Sequence, residues 1–428
     1  MSRRRVRARP LRRVGAAPRL ALALALGLAG ALPALPASAQ SPAPDPAPSA
    51  PAWIGPASAT GPDGHWTGPA LPTKPMSAED AAAIDALFAQ ALASTPDLPG
   101  IWVGVWHPEK GVHIAAYGKA AVNGPAATVA DHGRIGSITK TFTATAVLEE
   151  VAKGTFALDS TIAQLLPDLA TAHPEVGGIT VEQLLGMRSG IPDYGNTAVV
   201  IPRVIADPAH VWTPDELIEA AFTLPLQPPG TAGYSTTNTQ ILAKILEKTT
   251  GATVESLVNG IAARAGMTNS ALDPADDSTM PDPASRGYLF EAGAKSVAEI
   301  GGKVAAGTDV TDWSMSWGGA GGGMYSTIED MGRWAATGLG TSFLPAELGA
   351  RRLRAEPGPA GRYGLGIIDW GNGWIGHTGQ VLGWEAVIAY DTRTGAAYAV
   401  IVNEGGSILS GFAPAATIFP SIVRAFLG

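Results

Sequence analysis

Apolar residues recur at two spacings in this chain, and the spacing changes along its length. Two compact runs, Ile101-Trp102-Val103-Gly104-Val105-Trp106 and Val112-His113-Ile114-Ala115-Ala116-Tyr117, are joined by Pro108-Glu109-Lys110-Gly111. They are rich in β-branched and aromatic side chains and bounded by turn formers, so they predict strand, turn, strand. Similar runs predict strands over 363–370, 374–379, 384–390 and 396–402. Elsewhere the repeat is helical. Ser77, with Asp80 three residues on, opens a stripe of Ile84, Leu87, Phe88 and Leu92. Helix starts also stand at Ser160-Thr161, Thr180, Thr213-Pro214, Thr237 and Ser326-Thr327, and stops at Ser189-Gly190 with Pro192 and at Gly251. A terminal helix is predicted over 414–427, with Pro420 kinking it, and 273–307 reads as loop.

Strands at both ends therefore enclose a helical middle. The expected class is α/β (α+β): a sheet domain over residues 76–428 carrying a mostly helical insertion at about 155–310. No internal repeat is visible.

The N-terminus does not share this pattern. Residues 1–19 hold eight arginines and no acid, residues 20–35 are Leu/Ala-rich, and Ala37-Ser38-Ala39 precedes Gln40. Basic, apolar and small-residue regions in that order predict a signal peptide, 1–39, cleaved after Ala39. Its apolar run, broken by Pro33 and Pro36, is too short for a stable membrane span. The expected destination is secreted or periplasmic. Arginine pairs at 3–4 and 12–13 are compatible with twin-arginine export without choosing it over the general route. Residues 40–75 are rich in Pro, Ala, Ser and Gly and read as an extended tether or the remnant of a pro-segment.

Without the leader's eight arginines, 21 Lys and Arg face 37 Asp and Glu, so the formal charge falls from −8 to about −16. Such a surface disfavours nucleic acid. The absence of cysteine excludes disulfides, thiolate metal sites and a cysteine nucleophile. Seven histidines, none at His-x-x-x-His spacing, give no sign of zinc, and no Gly-x-Ser-x-Gly elbow occurs. Gly133 to Thr141 is no phosphate loop, because Thr139 stands where a glycine should precede the lysine. The expected assembly is a monomer.

The chemistry centres on Gly136-Ser137-Ile138-Thr139-Lys140. A serine and a lysine three apart on a helix share one face, about 5–6 Å between Cβ atoms, within hydrogen-bond reach for nucleophile and base. The run that follows, Thr141 to Leu148, is small and apolar, so the lysine is expected in a core where lost hydration lowers its pKa. The helix N-terminus offers N–H groups to an anion forming beside the serine. Two later stretches supply further groups: Tyr234-Ser235-Thr236, at the mouth of a helix, and Gly376-His377-Thr378-Gly379-Gln380, among the C-terminal strands. In the latter, short side chains would let substrate lie alongside. The glycines at 318–323 read as tight packing near the site, and Trp313, Trp317, Trp370, Trp374 and Trp384 as core or surface aromatics in preference to the lining of an acyl pocket.

Taken in order, the three motifs resemble those of the penicillin-recognising serine hydrolases, in the branch of DD-carboxypeptidases, class C β-lactamases and related esterases. The likeness spans about 78–428 and includes Ser189-Gly190-Ile191-Pro192, the glycine run before Tyr325-Ser326-Thr327, and Asp391. It implies an antiparallel sheet flanked by helices, with no metal or organic cofactor. It also implies Ser137 as nucleophile, Lys140 as general base, Tyr234 as proton relay, and the N–H groups of Ser137 and Gln380 as oxyanion hole. Thr236, Asn238, His377, Thr378 and Gly379 would meet a small-molecule or peptide substrate: a D-alanyl peptide, ester or lactam.

Two positions depart from the family pattern. Thr236 stands where an asparagine usually holds the acyl amide, and Asn238 is the candidate to replace it. His377 stands for the commoner lysine, and should attract a carboxylate more as pH falls through its pKa. His377, which a subgroup of DD-peptidase-like members shares, favours a DD-carboxypeptidase-like peptidase or an esterase over a class C-like β-lactamase, and Thr236 keeps a non-catalytic cell-wall or peptide-binding protein as the other reading.

Overall fold

Eight strands pair antiparallel throughout to form one sheet. In chain order they are β1 (Gly100–His107), β2 (Gly111–Gly118), β3 (Glu356–Gly358), β4 (Gly361–Tyr363), β5 (Ile368–Gly371), β6 (Trp374–Val381), β7 (Trp384–Asp391) and β8 (Ala397–Val402). Their order across the sheet is β2-β1-β8-β7-β6-β5-β4-β3, so the first strand of the chain is zipped to the last, from Ile101 opposite Val402 to Trp106 opposite Ala397. The computed structural model describes residues 71–95, 97–195, 197–359, 361–405 and 419–424. The leader, the linker as far as residue 70, and the predicted terminal helix except for 419–424, which is helical, lie outside the described residues.

Side chains alternate across a strand, and β1 is buried along its whole length because both faces are covered. Ile101, Val103 and Val105 pack with Ile84 and Phe88 of α1 (Ala78–Ser94). Ser77 caps α1 by accepting from the N–H of Asp80 at 3.1 Å. Trp102 and Trp106 point the other way, into the larger core shared with the helices. There α2 (Thr139–Lys153) is buried nearly throughout, Phe142 stacking on Trp334 of α4 (Ile328–Ala336) with ring centroids 3.9 Å apart. Alongside runs α3 (Thr236–Thr250), ended by Gly251 in the left-handed conformation. Trp317, Trp374 and Trp384 are core residues, and Trp313 and Trp370 pack against the core, as read from the sequence.

Three expectations need correction. The strand expected over 363–370 is two strands, β4 and β5, separated where Gly366 takes φ +69°. A helix, Glu291–Glu299, lies within the stretch read as loop; only Gly293, Ser296 and Val297 of it are buried, too thin an apolar face to register as a stripe. Order also begins before residue 76: the Val112 N–H donates to Lys74 and its carbonyl accepts from Met76, both at 2.9 Å.

Candidate active site

Ser137 sits in a single 3₁₀ turn, Gly136–Ile138, that feeds directly into α2. This turn is pressed against β6. Gly136 takes φ +53°, and a methyl group on it would lie 2.4 Å from the Gln380 nitrogen. A methyl on Gly379 would fall 1.8 Å from the Ile135 carbonyl oxygen. Both positions must be glycine, and their contact fixes the serine beside the main chain of Gln380. Strand β5 pairs with β6 only over Trp374–Gly376, so among the described residues no strand lies alongside 377–381 on that edge.

Lys140 follows one turn later and is 2 % exposed. Its Nζ donates to Ser137 Oγ at 3.0 Å and to the Gly321 carbonyl at 2.8 Å. Burial pushes its pKa down to about 7, the carboxylate of Asp193 offsetting part of the effect. Near neutrality the amine is therefore uncharged for much of the time and able to take a proton. The glycine run fits against this pair, a methyl on Gly321 lying 2.6 Å from Thr236 Cγ2.

Tyr234 completes the group. Its hydroxyl hydrogen-bonds the Ser137 side chain, and its ring centroid lies 5.0 Å from Lys140 Nζ. Burial holds the phenol well above its ordinary pKa, so it remains protonated and can donate. The loop before it is tied down by main-chain bonds, the Gly230 N–H to Arg188 at 2.8 Å and the Gly233 N–H to Met187 at 2.9 Å. A hydroxyl and an amine one helical turn apart thus meet a phenol from a distant part of the chain.

The third motif is differently placed from expectation. His377 is 1 % exposed, with Nδ1 2.5 Å from the Thr378 carbonyl and Nε2 2.9 Å from the Tyr363 hydroxyl. A carbonyl only accepts, so Nδ1 carries the hydrogen and Nε2 accepts from Tyr363. Burial pushes the His377 pKa down to about 3. The imidazole therefore stays neutral at any pH near physiological, with both nitrogens engaged, and the expected attraction for a substrate carboxylate is withdrawn. Gly379 is likewise buried and serves the Ser137 turn rather than a substrate. Thr378 and Gln380 remain partly exposed on the opposite face of β6.

Asn238 does not replace the missing asparagine. It is fully buried, its Oδ1 accepting from Ser189 Oγ at 2.7 Å and its Nδ2 donating to the Leu184 carbonyl at 3.2 Å. Thr236, 9 % exposed, lies closer to the lysine, and its N–H donates to Asp193 Oδ1 at 2.8 Å. Asp193 and Tyr363 were not foreseen. The sequence signalled Asp193 only by its place after Ser189-Gly190-Ile191-Pro192, and Tyr363 not at all.

The chain is similar to known proteins in sequence and in fold. The family model described as Beta-lactamase matches residues 84–419. Penicillin-binding protein 4 of Amycolatopsis lactamdurans is 26% identical over 322 residues, covering 68% of this chain and 75% of that protein. Among solved structures, D-amino acid amidase from Ochrobactrum anthropi SV3 complexed with D-phenylalanine superposes with a TM-score of 0.71 at 25% identity, covering 81% of this chain and 99% of its own. D-stereospecific amidohydrolase from Streptomyces sp. gives 0.64 at 27% identity, covering 75% and 95%.

Proposed function

The chain belongs to the Beta-lactamase family of serine hydrolases, and from that membership we propose that it hydrolyses small D-configured amides, peptides or esters through an acyl-enzyme on Ser137. The observation that carries the proposal is the single cluster in which Ser137 Oγ accepts from a buried Lys140 whose pKa is about 7 and is bonded by the Tyr234 hydroxyl.

In this reaction Ser137 Oγ attacks the carbonyl carbon while its proton passes to neutral Lys140. The carbonyl oxygen becomes an anion held by the N–H groups of Ser137 and Gln380. Tyr234 gives its proton to the leaving nitrogen or oxygen, the bond to the leaving group breaks, and Tyr234 recovers a proton from Lys140. Water then repeats the sequence on the ester, releasing acid and free serine. Lys140 is the base rather than Tyr234 because burial acts oppositely on the two, lowering the amine and raising the phenol.

Substrate preference follows from the third motif. A β-lactam or a peptide with a C-terminal D-alanine brings a carboxylate, and buried neutral His377 offers it no charge. Amides and esters without that carboxylate suit the site better. The D-configuration is supported by the printed specificities of the amidases it resembles. The expected leader at residues 1–39 supports a reading in which this chemistry takes place in the cell envelope or outside the cell.

Rates on D-alanine amide, a D-Ala-D-Ala peptide, a cephalosporin and p-nitrophenyl butyrate, measured side by side, test the proposal. Amide and ester turnover is expected to exceed lactam turnover. A high rate on the cephalosporin alone refutes the ranking, and binding without turnover of any of them points to the non-catalytic reading.

A further inference from the structure

The charges around the cleft point to a feature of the substrate. Asp193 is 6 % exposed and held rigidly, its Oδ1 accepting from the N–H groups of Thr236 at 2.8 Å and Gly195 at 3.1 Å. Its Oδ2 is buried and has no hydrogen-bond partner among the described residues. A buried carboxylate oxygen in that state is expensive unless something pairs with it. Lys140 does not, because its Nζ is turned to Ser137 and to the Gly321 carbonyl. The carboxylate nonetheless belongs to this site, since its field acts on Lys140, Tyr194 and Tyr234. Thr236, which Oδ1 holds, stands where the family resemblance puts the group that meets the acyl part of the substrate.

The guanidinium of Arg352, whose charge acts on Tyr363, is fully buried and spent on Thr145 Oγ1 at 2.8 Å and the Thr141 carbonyl at 3.0 Å. His377 is neutral with both ring nitrogens occupied, Tyr194 donates to the Trp317 carbonyl at 2.8 Å, and Lys140 must lose its proton to act. Among the described residues, the Asp193 carboxylate therefore lies with Thr236, and His377 offers no cation to a substrate carboxylate.

We propose that Asp193 anchors an ammonium group on the acyl part of the substrate, so that the enzyme selects amides and esters of amino acids whose α-amino group is free. This rests on the serine-hydrolase reading and narrows its substrate class. An N-acylated donor, or one lacking the amino group, leaves the Asp193 oxygen unpaired. A free ammonium meets it with a charge-assisted hydrogen bond, the stronger kind.

The test compares D-alanine p-nitroanilide with its N-acetyl derivative and with propionyl p-nitroanilide, in the wild-type chain and in Asp193→Asn. Asparagine keeps an oxygen for the Thr236 and Gly195 N–H groups while removing the charge. Assay at about pH 7 keeps the substrate amine largely protonated, below the ordinary α-amino range of about 7.7–8.0. In the wild type, kcat/KM for the free-amine substrate should exceed that for either neutral analogue by about tenfold or more, mostly through KM. In Asp193→Asn that ratio should collapse towards one, and Asp193→Glu should recover part of it. A wild-type enzyme with no preference for the free amine overturns the proposal, as does a ratio unchanged in Asp193→Asn. If Asp193→Asn does not fold, judged by circular dichroism, the wild-type ratio decides alone. Turnover of p-nitrophenyl butyrate without amine preference refutes only this inference. Absence of turnover on every substrate, with no labelling of Ser137 by a fluorophosphonate, refutes the hydrolase reading and this inference with it.

Discussion

Lys140 sets the pH at which the site works. Its ordinary pKa near 10.5 is lowered by burial to about 7, so the amine is protonated below that value and cannot accept from Ser137. kcat/KM on a neutral ester should therefore rise as pH increases through about 7; a profile flat from pH 5 to 9 would remove Lys140 as the base. Lys140→Ala should fall to within about tenfold of the rate of Ser137→Ala, because the two residues act as one unit. His377 should contribute no limb to the profile, its pKa lying near 3. At this scale the sequence revealed the groups that announce themselves by spacing: Ser137 and Lys140 three apart, and Tyr234 at a helix mouth. It concealed what distant packing decides. That His377 is engaged by Tyr363 and by its own neighbour's carbonyl, and that Asn238 is spent on Ser189 and Leu184, depends on segments with no local mark.

Among the elements, the contact between the Ser137 turn and β6 matters most. A methyl on Gly379 would lie 1.8 Å from a main-chain oxygen that cannot swing aside. Gly379→Ala should push β6 from the turn, separating Ser137 from Gln380 and lowering kcat at least tenfold, and should also cost stability by roughly 1–3 kcal/mol. Urea melts paired with ester kinetics check this; wild-type kcat with unchanged stability would show that the contact does not hold the site together. Helix starts were readable because a capping side chain and its target lie three residues apart, as at Thr161, Thr180 and Thr213. The break between β4 and β5 was not, since it needs the positive φ of Gly366, which composition does not give.

At the scale of the molecule, the sheet order is the least local feature. Nothing in the period of either run says that β1 pairs with β8 across nearly the whole chain, and only the family likeness anticipated an antiparallel sheet. The turn of Ser137 meets the strand of His377 through Gly136 and Gly379, and Tyr234 meets Ser137 through its hydroxyl. Export is proposed at the same scale: the mature protein from the culture medium or periplasm should begin at Gln40, as read by N-terminal mass spectrometry, and an intact leader on protein found only inside the cell would refute it. The most direct test of the convergence is intact-mass analysis after reaction with a fluorophosphonate. One adduct is expected, mapped by peptide sequencing to Ser137, absent in Ser137→Ala and strongly slowed in Lys140→Ala. No adduct, or one that persists in Ser137→Ala, would contradict the assignment of Ser137 as the nucleophile.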